Sequence, residues 1–132
     1  MTIETSDDGS PLVVEIDFPA LGLKRDVEVI SEPRASDTMR KVLESLVSAM
    51  GPDVLKKVAT MRDGRRPLVS ANPDRDFRVG DSDKTYQHQP IGKTGFFVLT
   101  NTDSLQKVKD LKEVAGTLGL SSSQFRVRVS AV

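Results

Sequence analysis

SDTMRKVLESLVSAMGPDVLKKVATMRDGRRPL, residues 36–68, decides how the rest of the chain must fold. Met39, Val42, Leu43, Leu46, Val47 and Met50 recur at i, i+3, i+4, i+7, i+8 and i+11, which is one face of a helix. All six are therefore expected in the core. Ser36 or Asp37 can accept from the open N–H groups of the first turn. Gly51-Pro52 stops the helix: glycine takes the left-handed cap and proline cannot continue. Asp53 to Lys57 fits either a short helical turn or the approach to a strand, and Val58 to Met61 reads as strand. Asp63-Gly64 is the strongest short hairpin signal, with Pro67-Leu68-Val69 as an edge or strand-start return.

Upstream, Leu12–Phe18 (LVVEIDF) alternates, with Val14, Ile16 and Phe18 on one face. Arg25–Ile30 (RDVEVI) alternates again, with Val27 and Val29 against Asp26 and Glu28, and the Gly22-containing break between them suggests a hairpin. Downstream, Ser70–Arg75 is turn chemistry, and Gly95–Thr100 (GFFVLT) is the most apolar strand, suited to a central position. A second helix follows, capped by Asp103 with Gln106 in capping-box position, and with Leu105, Val108, Leu111, Ala115 and Leu118 on one face. Gly119-Leu120 closes it, and Phe125–Val129 (FRVRV) alternates with Arg126 and Arg128 outward.

The order β-β-α-β-β-β-α-β predicts an α+β domain with helices on one face of a sheet. At 132 residues it fits one domain able to bury a core without staples. Residues 1–10 read as a disordered lead. There are no cysteines, so neither a disulfide framework nor a thiolate metal site can form. The opening MTIETSDDGS has no apolar core of a secretory signal, and no apolar run approaches the ~18–20 residues of a membrane span, so the expected location is cytoplasmic. Net charge is zero, which argues against a general nucleic-acid binder. Residues 1–33 carry eight acids and two bases, and residues 34–66 carry eight bases and four acids, which reads as two opposed surface fields or as local charge balance between neighbouring elements, the second being the ordinary case.

Leu12 to Thr100 resembles the ubiquitin-like β-grasp superfamily. A hairpin (LVVEIDF to RDVEVI) precedes a helix opening on Ser36-Asp37-Thr38, then a strand into a tight turn (VATMRDGRRPL), an irregular stretch (DFRVGDSD) and a last apolar strand (GFFVLT). Ras-association, doublecortin-type and FERM-type domains share that order. The resemblance implies a mixed sheet packed on one main helix over residues 11–100, with residues 101–132 as a helix-strand extension on the same domain. The chain ends Arg-Val-Ser-Ala-Val with no Gly-Gly, so conjugation through such a tail is not expected.

No residue set identifies a reaction. Gly92-Lys93-Thr94 is similar to the end of a phosphate loop, but the glycine required five residues before is Gln87. Asp81 and Asp83 have the start of a calcium-loop spacing, but the sixth and twelfth positions are Tyr86 and Gly92. His88 is the single histidine, flanked by neutral residues, and reads as a loop or edge-strand side chain. No Gly-x-Ser-x-Gly elbow is present. The expectation is no cofactor, no metal and no catalytic residue.

The expected function is a non-enzymatic adaptor or scaffold that binds another protein through the open sheet face or its edge. Lys56, Lys57, Arg62, Arg65 and Arg66 form the densest basic cluster, which reads either as a solvated edge kept unpaired by charge or as a tip that engages an acidic protein surface, an anionic lipid head group or a phosphate backbone; in the adaptor reading it steers an acidic partner. No aromatic residue is interleaved with them, which weakens a single-stranded nucleic-acid reading. Leu21 and Leu23 either join a recognition patch or fold back on the core. The sequence is compatible with a homo-oligomer. The alternative is a ferredoxin-like βαβ sandwich that binds a small ligand or RNA across its sheet. Strand order separates the two: GFFVLT beside LVVEIDF favours the grasp, and FRVRV in the central pair favours the sandwich.

Overall fold

The computed structural model describes residues 10–63 and 66–130, with Arg62 and Asp63 described by backbone alone. The chain is α+β. It runs β1 (Leu12–Ile16), a 3-10 turn (Pro19–Leu21), β2 (Glu28–Ile30), α1 (Ala35–Met50), α2 (Asp53–Val58), β3 (Arg62–Asp63), β4 (Arg66–Pro67) and β5 (Val69–Ser70). Then come α3 (Pro73–Asp76), β6 (His88–Pro90), β7 (Phe97–Leu99), α4 (Ser104–Thr117) and β8 (Phe125–Val129). Among the described residues, no helix is long and apolar enough to cross a membrane. Of the expected disordered lead, residues 1–9 lie outside the described residues, and the carbonyl of Ser10 accepts from Ser104 Oγ at 2.6 Å.

The main sheet has the order β2-β1-β8, and a second has the order β5-β7-β6. Each described strand pair is antiparallel, whereas the expected sheet was mixed. The last strand, not GFFVLT, lies beside β1: Leu12 opposes Val129, Val14 opposes Val127 and Ile16 opposes Phe125. Phe97–Leu99 instead is the centre of the second sheet, where its apolar character is satisfied on both sides. The reason is geometric. α4 packs on β8 and on α1, so the helix before the last strand delivers that strand to the open side of β1. The expected extension at 101–132 thus supplies one-third of the main sheet's strands. Phe125–Val129 is an edge beside central β1, whose other side is taken by β2, so the sandwich pairing is not reproduced either.

Alternation sets the sheet's two faces. Leu12, Val14, Ile16, Phe125 and Val127 are buried beneath α1 and α4, as period 2 predicts. Met39, Val42, Leu43 and Leu46 are fully buried on α1, and Val47 is partly buried. Met50 departs from expectation at 38% exposed. The helix begins at Ala35 with Arg34 as cap, not at Ser36 or Asp37. No side chain caps its first turn; Thr38 Oγ1 instead ties down the chain before the helix, accepting from the N–H of Glu32 at 2.8 Å. Val58–Met61 is not strand: Val54, Leu55 and Val58 form the buried stripe of α2, packed on α1 and α4. Asp37, Arg40 and Glu44 make a polar seam from α1 to the second sheet. Arg40 Nε donates to Gln89 Oε1 at 2.7 Å, Gln89 Nε2 to Asp37 Oδ1 at 3.3 Å, and the N–H of Gly92 to Glu44 Oε2 at 2.8 Å.

Gly51 ends α1 at φ 97° and ψ 164°, a conformation essentially confined to glycine. A Cβ there would meet nothing within 4 Å, so any cost of Gly51→Ala is backbone strain alone. The expected loss is about 1–3 kcal/mol, seen as a lower denaturant midpoint at unchanged m-value. An unchanged midpoint would show that the turn relaxes freely.

Candidate partner-binding surface

The residues singled out by sequence are spread over several elements. Lys56 and Lys57 sit in the last turn of α2, and Lys56 lies 3.8 Å from Asp53 with both side chains mostly exposed. Such pairs contribute little to stability. The backbone of Arg62 pairs with Pro67 in the predicted hairpin, its side chain lies outside the described residues, and Arg65 lies wholly outside them. The guanidinium of Arg66 sits 4.1 Å from the centroid of the Tyr86 ring, a cation–π contact. Leu21 and Leu23 fold back: both are partly buried against the core, around Gly22 at φ 78°. Arg25 covers Phe18 from outside, 4.8 Å from its ring centroid.

Sequence reading expected an open sheet face but named none of its residues; it is the outer face of β2-β1-β8. The run Val27-Glu28-Val29-Ile30 carries two phases of alternation, and packing selects the one with Ile30. Ile30 opposes Val14 and is buried under α1. Glu28, turned the same way, is satisfied by Ser45 Oγ and by Arg25 Nη2 at 3.3 Å. Val29 is thereby forced outward and is 62% exposed, with Val27 at 46%. Across this face Val29 opposes Glu15, and Glu15 opposes Arg126, whose Nη1 lies 3.5 Å from Glu15 Oε1. Val13 opposes Arg128 one step along. A shallow depression of about 410 Å3 lies over Val13, Glu15, Val29 and the two arginines. Among the described residues α1 and α4 pack on the opposite face, and none of the helices covers this one. It offers apolar contact at one end and cations at the other.

A polar hollow of about 500 Å3 lies where α1 begins and β7 ends, lined by Arg34, Tyr86, Asp103 and Lys107 among others. Lys107 is 2% exposed, and its ammonium donates to the carbonyls of Thr100 and Thr102. Its protons thus pin the segment entering α4 and satisfy carbonyls that burial would otherwise penalise. The cap predicted for α4 is present, with the N–H of Gln106 donating to Asp103 Oδ1 at 2.8 Å. The Gln106 amide does not return to the cap, as a capping box would have it, but donates to Asp110 Oδ1 at 3.0 Å. His88 lies on edge strand β6 with Nδ1 2.8 Å from the carbonyl of Tyr86, its ring beside Phe77 and Phe97. Among the described residues, no three histidine, cysteine or carboxylate side chains converge in a way that could hold a metal ion.

No family model, curated protein or solved structure matches the chain.

Proposed function

We propose that this is a non-enzymatic protein-interaction domain that binds its partner on the outer face of β2-β1-β8. One observation carries the reading: Val29 stands 62% exposed on a sheet face that none of the described helices covers. Apolar side chains on an open sheet gain about 25 cal/mol per Å2 when a partner removes them from water. Arg126 and Arg128, across β1 from Val29, favour an acidic partner and exclude a basic one. The alternative, RNA or a planar ligand lying across the sheet, wants stacking rings there. The outward positions are Val13, Glu15, Val29, Arg126 and Arg128, none aromatic. The ubiquitin-like likeness extends, in this reading, to the opening hairpin and α1. A cytoplasmic adaptor role is the setting that fits it.

Val29→Asp tests the face. The wild-type chain and the variant are immobilised and offered the same cell extract, and retained proteins are compared by mass spectrometry. At least one protein held by the wild type is expected to fall roughly tenfold on the variant, equivalent to about 1.4 kcal/mol. Stability should fall by no more than about 1 kcal/mol, because the site is exposed and the only new penalty is a carboxylate opposite Glu15. Identical retained sets would remove this face from the function.

A further inference from the structure

The outer face ends at β8, and β8 is a sheet edge. The ladder fixes what that edge presents. The N–H of Ser130 donates to the carbonyl of Pro11 at 2.7 Å, and the N–H of Asp17 to that of Gln124 at 2.9 Å. Hydrogen-bonding positions alternate along an antiparallel pair, so residues 124, 126, 128 and 130 turn their main chain toward β1. The main-chain N–H and C=O groups of Val127 and Val129 therefore point away from the sheet, where no described strand pairs with them. The N–H of Phe125 is taken by the carbonyl of Ser121 at 3.0 Å, which closes one end of the edge.

Beside this edge lies a cavity of about 400 Å3 between the second half of α4 and β8. Phe125, Arg126 and Val127 all line it. Consecutive strand side chains point to opposite faces, so three in a row can border one cavity only along the strand's edge. Ala115 and Gly116 form the helix wall, where a single methyl group and a bare backbone leave the space open. A strand laid against β8 would place the residue opposite Val127 over this apolar floor. It would place the residues opposite Arg126 and Arg128 on the outer face beside the guanidinium groups.

The charges select the occupant. Lys112 and Arg126 rim the cavity, and no carboxylate lines it. Arg126 is shared with Glu15, and Arg128 has no ion-pair partner among the described residues. A second copy of this strand, paired antiparallel about Val127, would set Arg126 against Arg128 in both directions, and like charges directly opposite destabilise a sheet. We infer that the free edge of β8 receives an extended segment of a partner protein in which acidic residues alternate with apolar ones, adding a fourth strand to the sheet. This deepens the proposed function and rests on it.

The probe is a fluorescent, end-capped heptapeptide of alternating glutamate and valine, with a lysine–valine peptide as its counterpart. Binding is followed by anisotropy, and amide exchange at Val127 and Val129 by NMR. The acidic peptide should bind at least roughly tenfold more tightly than the basic one, and its binding should weaken with salt. It should also slow exchange at both amides. Gly116→Leu fills the cavity from a position where an added Cβ meets nothing within 4 Å, and it should reduce binding roughly tenfold while the fold persists. Equal binding of the two peptides, or unslowed exchange at Val127 and Val129, overturns the proposal. Protection of those amides without peptide, or a dimer in solution, also overturns it, because the edge is then already filled. A cellular partner lost with Val29→Asp but indifferent to Gly116→Leu leaves the face reading standing and removes the edge.

Discussion

Ending the chain after Thr100 abolishes cooperative unfolding. β8 opposes each residue of β1 from Leu12 to Ile16, while β2 opposes only three of them. The deletion also removes Leu111, Val114, Phe125 and Val127 from the core, along with Leu120 at its margin. Burying such side chains contributes about 1.5–3 kcal/mol each. Five of them approach the whole stability of a small domain, about 5–15 kcal/mol. Leu12, Val14 and Ile16, fully buried in the intact chain, would face water on the side that β8 and α4 had covered. A flat thermal trace by near-ultraviolet circular dichroism is the expected result. A sharp transition in the shortened chain would show that the first hundred residues fold alone.

Leu43→Ala should cost about 2–5 kcal/mol, because a fully buried leucine leaves a cavity that neighbouring helices fill only in part. Met50→Ala, seven residues further along the same face, should cost less than about 1 kcal/mol, since Met50 is 38% exposed. Urea unfolding of the pair, at matched m-values, reads the difference directly. Equal losses would mean that the core extends to the last turn of α1.

That pair also marks where sequence reasoning holds and where it stops. A 3.6-residue period names the side of a helix that faces its neighbour, so Met39, Val42, Leu43 and Leu46 were legible. It does not say how far the neighbour reaches, so Met50 was not. Alternation has the same limit. It placed Val14 and Val127 inward, but it carries no record of which strand stands beside which, and the neighbour of β1 had to come from the path of α4. In Val27–Ile30 two phases compete, and only the packing of Ile30 beneath α1 resolves them. Val58 and Thr60 argued for strand through β-branching. The spacing of Val54, Leu55 and Val58 against α1 outweighed that propensity. On α4 the leucine pattern pointed to Leu105, which is 52% exposed, whereas Ser104, Lys107 and Asp110 are buried. Nothing in the sequence marks polar residues that a particular set of carbonyls will satisfy. The outward arginines of β8 were readable. The open edge beside them was not, because an edge is defined by the strand that is missing.

The pairing of Leu12 with Val129 sets a schedule as well as a shape. On the ribosome the centre of the main sheet is made early and its second neighbour late. At about 5–20 residues per second the wait between them is roughly 5–25 s. Through that interval the nascent chain holds an apolar strand with one side unclaimed, the kind of species that chaperones recognise. The wait is thus written into the connectivity: among the described strands, the one made first is sealed by the one made last.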